Sequence, residues 1–220
     1  MKIDIEEIKN TQHILIVTST ASFANASALY SCILTFHKKV SLQNLEPLNT
    51  KLSFLPWYDK CRENQPSTAQ YIIEVNTDTL ELYKFFKENG IKINQKMATA
   101  LYGGLLSRYD NFLSSDCDGT IFALVSTLLE LGAQKKLCHD FLLLRVPLSY
   151  MRLKERLLRS LVLKDDASHA YVSICDDDLK SSNSELMDAY TIIKEFLTIV
   201  HVEKVTLLKS DENNKIIKEI

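Results

Sequence analysis

Residues 13–43 read HILIVTSTASFANASALYSCILTFHKKVSLQ, and the pattern changes twice along them. His13-Ile14-Leu15-Ile16-Val17 is a compact, β-branched run, the pattern of a strand covered on both faces. Thr18 to Asn25 is polar and reads as a loop. From Ala26 to His37 the apolar residues Leu29, Ile33 and Phe36 recur at helical spacing, and Lys39 to Gln43 forms a second strand. Strand, loop, helix and strand in so short a span make a βαβ unit, which argues for a parallel sheet. In an open parallel sheet, ligands usually bind beside the loop that follows the first strand, at the carboxyl edge. Thr18 to Asn25 is therefore where chemistry is expected.

Outward from that unit the chain continues as an α/β protein. Residues 3–10 read as a short helix with Ile5 and Ile8 on one face. Phe54-Leu55-Pro56-Trp57-Tyr58 is an aromatic turn that orders a connection by burial. Residues 62–70 are loop-like, and Tyr71 to Val75 is a third strand. A helix follows from Thr77 to the Asn89-Gly90 stop. After the region around Met97–Phe112, helices are expected over Ile121–Leu131 and up to Leu144. A basic amphipathic helix runs from Ser149 to Leu163, its Arg152, Lys154, Arg156 and Arg159 reading either as a phosphate contact or as a solvated face. Strand 170–175, helix 184–197 and strand 203–208 complete the reading. The acidic Asp176-Asp177-Asp178 lacks the ligand alternation of a calcium loop and reads as a helix start.

Composition narrows the class. Apolar residues make up 46% and charged residues 25% of the 220, with a net charge of −2, so the chain has no global attraction for nucleic acid or anionic lipid. Nucleic acid and membrane insertion are accordingly not expected. The N-terminal MKIDIEEIKN is no signal peptide, no apolar run approaches the ~20 residues of a membrane span, and a cytoplasmic location is expected. Cys32, Cys61, Cys117, Cys138 and Cys175 are widely spaced without a C-x-x-C pair, which suits reduced structural thiols better than a zinc site.

The segment Met97–Phe112, MATALYGGLLSRYDNF, has helical spacing but places Gly103 and Gly104 mid-helix, at about 1 kcal/mol each relative to Ala. Something packs close to that backbone. The segment resembles a stretch of the DHH-family phosphoesterases, of nanoRNase and pAp-phosphatase type, that reads roughly A-T-A-L-Y-x-G-I-x-x-D-T-G-x-F. Ser27-Ala28-Leu29 is similar to the family's S-A-L after its first acidic loop, Phe54-Leu55-Pro56 to its F-L-P turn, and ELYKFFKENGIKIN (residues 81–94) to E-L-x-Y-x-x-L-K-x-x-G-I-K-I-N. The resemblance extends from about Ile14 to Leu208. It implies an α/β, mostly parallel DHH-like domain over 1–145 and a linker helix over 146–164. Residues 165–220 would be the remnant of the DHH-associated lobe.

The resemblance also implies a chemistry whose residues are missing. The family's first loop carries His and Asp metal ligands, whereas Thr18–Asn25 offers hydroxyls and one amide. Asn76 stands after the strand that ends in a metal-binding Asp in the family, no D-H-H triplet occurs, and Arg108 occupies the place of the D-T-G aspartate. Arg has no lone pair to donate to a cation. The family's Gly-Gly-Gly-His substrate loop is absent as well. These losses imply a catalytically inactive, cytoplasmic interaction or adaptor module with a protein partner or self-association, and no cofactor. An exposed apolar patch or self-association surface is expected with it. The alternative is a residual phosphoesterase acting on short oligonucleotides or a nucleoside 3′,5′-bisphosphate. It would need Mn²⁺ held by Asp110, Asp116 and Asp118, which nothing in the sequence makes converge with the first-strand loop. Asp116 and Asp118 also read as a turn and cap. Between the two stands metal-free binding of a phosphate-bearing ligand, with Ser19, Thr20, Asn25 and Arg108 as the contact residues. The hydroxyls of the first loop serve equally well as helix caps.

Overall fold

The computed structural model describes residues 3–64, 66 and 68–220. The chain divides after Arg145 into two compact units. In the first, α1 (Ile5–Asn10) precedes β1 (His13–Thr18), α2 (Phe23–Leu34), β2 (Lys39–Asn44), β3 (Cys61–Arg62) and β4 (Tyr71–Val75). Then come α3 (Thr79–Glu88), α4 (Gln95–Arg108), α5 (Gly119–Glu130) and α6 (Lys135–His139), the last running into a π-helical turn, Asp140–Leu144. The strands form one parallel sheet in the order β3-β2-β1-β4. All six residues of β1 are buried, as the unbroken apolar run predicted. Ile14 and Ile16 join Phe23, Leu29 and Ile33 of α2 and Leu101 and Leu105 of α4 in the core.

Side chains set the helix starts. Asp4, Asp78, Asn94 and Asp118 each accept a backbone N–H of the first turn of α1, α3, α4 and α5, satisfying donors that a helix leaves open. The start of α2 differs from expectation. Phe23, Ala24 and Asn25, read as loop, are helical and buried, following a 3-10 turn at Thr20–Ser22. Core burial of Phe23 outweighs the polar composition around it. The helix ends at Leu34 and not at His37, which takes a left-handed φ of 57°.

The second unit holds α7 (Leu148–Arg159), β5 (Val162–Lys164), β6 (His169–Ile174), α8 (Asp176–Ser182), α9 (Leu186–Glu195), β7 (Lys204–Lys209) and β8 (Lys215–Glu219). Its sheet order is β5-β6-β7-β8, with β6 and β7 parallel and the outer strands antiparallel. The helix expected up to Leu163 stops at Arg159, and residues 162–164 form an exposed edge strand. Tyr150, Leu153 and Leu157 of α7 pack into this unit's own core with Val172, Ile192 and Leu207, so α7 is an integral layer of the second unit. Its basic face is part paired and part solvated: Lys154 pairs with Glu195 of α9 and Arg156 with Asp178 of α8 at 3.2 Å, whereas Arg152 and Arg159 are exposed, Arg159 beside Glu155 of the same helix. The acidic triplet Asp176–Asp178 opens α8, where Asp178 accepts the Cys175 backbone N–H at 3.0 Å.

Candidate functional site

The carboxyl edge of the first sheet is where the crossover geometry directs a ligand. There a cleft of about 350 Å³ is lined by Thr20, Asn49, Lys51, Gly104, Ser107 and Asp110, with Leu52, Leu142 and Leu143 supplying apolar wall. Of the residues singled out from sequence, Thr20 and Asp110 meet here. Ser19 and Asn25 do not line this cleft, and neither do Arg108, Asp116 or Asp118. Asp110 converges with the first-strand loop, which nothing in the sequence indicates. The convergence follows from α4 lying against α2, which brings the turn after α4 over the 3-10 turn at Thr20–Ser22.

Asn25 is spent on packing. Its Nδ2 donates to the Thr77 carbonyl at 2.6 Å and its Oδ1 accepts from Thr79 Oγ1 at 2.9 Å, inside the core. This junction explains one of the two mid-helix glycines. A Cβ on Gly104 would stand 2.8 Å from Thr79 Oγ1 and 3.2 Å from Asn25 Oδ1, closer than packed atoms tolerate. At Gly103 the nearest atoms, on Leu55 and Phe54, are 3.6 Å away, ordinary van der Waals contact. The close approach inferred from sequence therefore belongs to Gly104. Ser19 and Ser22, expected as possible caps, make no side-chain cap bond.

Arg108 ends α4 on the surface. Its guanidinium lies 3.5 Å from Asp116 and over the Tyr109 ring at 5.3 Å. Asp116 accepts the Ser114 hydroxyl, and that bond, ahead of the weaker pull of Arg108, holds its carboxyl below the usual range. Asp118 is the N-cap of α5, accepting from Thr120 and Ile121 N–H at 2.9 and 3.2 Å. Asp110, Asn111 and Phe112 are left-handed in succession, with φ of 44°, 58° and 65°. The sharp reversal after α4 that they form keeps Asp110 beside the cleft and seats the Phe112 ring against Tyr102 and Phe122.

The donor set does not fit a metal pair. Two divalent ions between them need several carboxylates or imidazoles. The cleft offers one carboxylate, Asp110, along with the cation Lys51, neutral hydroxyls and amides. Among the described residues no three His, Cys, Asp or Glu side chains are placed to share an ion. Sequence reasoning missed Asn49, Lys51 and Ser107; the Asn49 side chain capping Lys51 N at 2.9 Å was the one local signal. It also missed the buried Tyr102 hydroxyl, 2.8 Å from His139 Nε2. Burial, with Cys138 adding to it, pushes Tyr102 up to about 12, and burial together with nearby Lys135 lowers His139.

Comparison with solved structures gives the fold a counterpart. An exopolyphosphatase-related protein from Bacteroides fragilis superposes with a TM-score of 0.74 over 96% of this chain and 79% of that one. The two share a fold. Their sequence identity is 14%, so the likeness is one of architecture. A Methanococcus jannaschii protein described as a putative family II inorganic pyrophosphatase covers 90% of this chain and 83% of its own at 12% identity, with a TM-score of 0.43. No family model and no curated protein matches the sequence. No helix among the described residues is long and apolar enough to cross a membrane.

Proposed function

We propose that this chain is a catalytically inactive relative of the DHH phosphoesterases that works as a cytoplasmic protein-interaction module without a cofactor. The observation that carries the reading is the composition of the cleft: one carboxylate and one ammonium, with Asn25 of α2 committed to the core. A two-metal phosphoesterase generates its nucleophile and neutralises the departing charge with ions held by acids, and this donor set is unsuited to that work. The fold shared with an exopolyphosphatase-related protein supports the phosphoesterase ancestry of the scaffold. Asp110, standing beside Thr20 and Ser107, favours the second reading, a residual phosphoesterase for short oligonucleotides or a nucleoside 3′,5′-bisphosphate.

An assay with excess Mn²⁺ decides between them, using a dinucleotide and a nucleoside 3′,5′-bisphosphate as substrates. Neither the wild type nor Arg108→Asp is expected to turn over or to bind Mn²⁺. Metal-dependent turnover by the wild type, abolished by Asp110→Ala, Asp116→Ala or Asp118→Ala, would sink the inactive reading and locate the site.

A further inference from the structure

The first sheet ends at β4, which pairs with β1 alone and is closed by no further strand among the described residues. Gln70 N donates to the His13 carbonyl at 3.0 Å, which sets the alternation of the ladder. Gln70, Ile72 and Glu74 turn their backbone groups toward β1, so those of Ile73 and Val75 point outward. A groove of about 1180 Å³ runs along this edge. Ile3, Ile72 and Phe85 give it an apolar lining, and Ile72 is 49% exposed. Its charged residues are Asp4, Glu74 and Glu81, with no Lys, Arg or His among those lining it, and neither Glu74 nor Glu81 has a salt-bridge partner among the described residues. Thr77, also at the groove, keeps a buried Oγ1 with no hydrogen-bond partner. Natural edges of this kind are usually blunted by Lys, Pro or a bulge; the run YIIEV has none of these.

We propose that the β4 edge binds an extended basic and apolar segment of a partner protein, which adds to the sheet as a fifth strand. Main-chain hydrogen bonds to Ile73 and Val75 supply the register, and alternate side chains meet the apolar lining and the acids. Charge selects the occupant. A second copy docked edge to edge would set Glu74 and Glu81 against their own counterparts, whereas lysines spaced along a strand neutralise them. The inference rests on the interaction-module reading, since it names that module's partner surface. Its test is separate: turnover with Mn²⁺ would sink the inactive reading while leaving strand binding intact, and the reverse also holds.

The probe is a fluorescein-labelled nonapeptide of alternating lysine and isoleucine, titrated against the full chain by anisotropy. Saturable binding is expected. The double variant Glu74→Lys, Glu81→Lys, with unchanged circular dichroism, should bind at least about fivefold more weakly, the loss expected of a few reversed surface charge pairs. The same peptide N-methylated at every residue keeps its charge but has both strand edges blocked, and should not bind. Equal binding of the methylated peptide would overturn strand addition, since it would leave ion pairing alone. No binding by the wild type, or a dimer in sedimentation that Glu74→Lys strengthens, would overturn the partner assignment.

Discussion

Gly103 and Gly104 are adjacent and chemically identical, yet their surroundings give them opposite roles. Helix propensity favours Ala over Gly by about 1 kcal/mol at either position. At Gly104 that gain meets Thr79 Oγ1 at 2.8 Å and Asn25 Oδ1 at 3.2 Å, part of a buried hydrogen-bonded junction that cannot retreat. Gly104→Ala is expected to lower stability by about 1–3 kcal/mol, the usual range for overpacking. Gly103→Ala should be neutral or gain up to about 1 kcal/mol. Urea denaturation of both variants measures this; equal effects would mean that the α2–α4 contact is looser than described. A sequence shows that two glycines sit mid-helix. Which of them a neighbour presses on depends on the crossing of two helices, and no local pattern encodes it. Asn25 is the same lesson in reverse: a polar residue in a polar run, it is drawn inward because Thr77 and Thr79 offer it partners from far along the chain.

Elements with a strong period were legible and exposed ones were not. β1, buried throughout, and α3 lie within about two residues of the bounds their pattern predicts, whereas α4, expected to reach Phe112, stops at Arg108 because Asp110, Asn111 and Phe112 turn left-handed. β5 is exposed at all three residues and β8 at four of five, so neither has an alternation to detect. The missed signal for β8 was Asn213-Asn214, left-handed at both residues, which turns the chain back after the 3-10 turn at Ser210–Glu212. The second unit's helices are tied by carboxylates whose titration has a definite sign. Burial alone would raise Asp178 and Glu195. Bonds from Cys175 and Arg156 to the first, and from Lys154 and Tyr150 to the second, outweigh it and hold both below their ordinary values. A folded pKa below the unfolded one gives stability that is present above about pH 4 and lost as pH falls through the folded values. Acid titration of the unfolding midpoint should show that loss below about pH 4, and Lys154→Met with Arg156→Met should flatten it. An unchanged acid limb in the double variant would remove these pairs from the account.

At the scale of the molecule, the division after Arg145 falls within an exposed run, residues 143–148, that includes Leu144 and Leu148. Exposed backbone between compact units is a preferred site of nicking. Limited trypsin digestion is expected to cut early after Arg145, read by mass spectrometry as one product ending there and another beginning at Val146. Full protection of that bond would contradict an exposed connection. The α/β class and the carboxyl-edge position of the cleft could be derived from residues 13–43 alone. The contents of the cleft could not, because Lys51, Ser107 and Asp110 reach it from separate parts of the chain.

The parallel order β3-β2-β1-β4 also bears on how the chain first reaches its structure. No two neighbours in that sheet are joined by a hairpin, so Ile14 has no β4 partner until Tyr71 has been synthesised and the intervening helix has docked. The β7–β8 pair, by contrast, closes through a short turn. Non-local pairing of this kind slows the search for the native state. Assembly of the first unit is therefore the slow event, and until it is complete the apolar run of β1 is the segment most in need of protection from other chains.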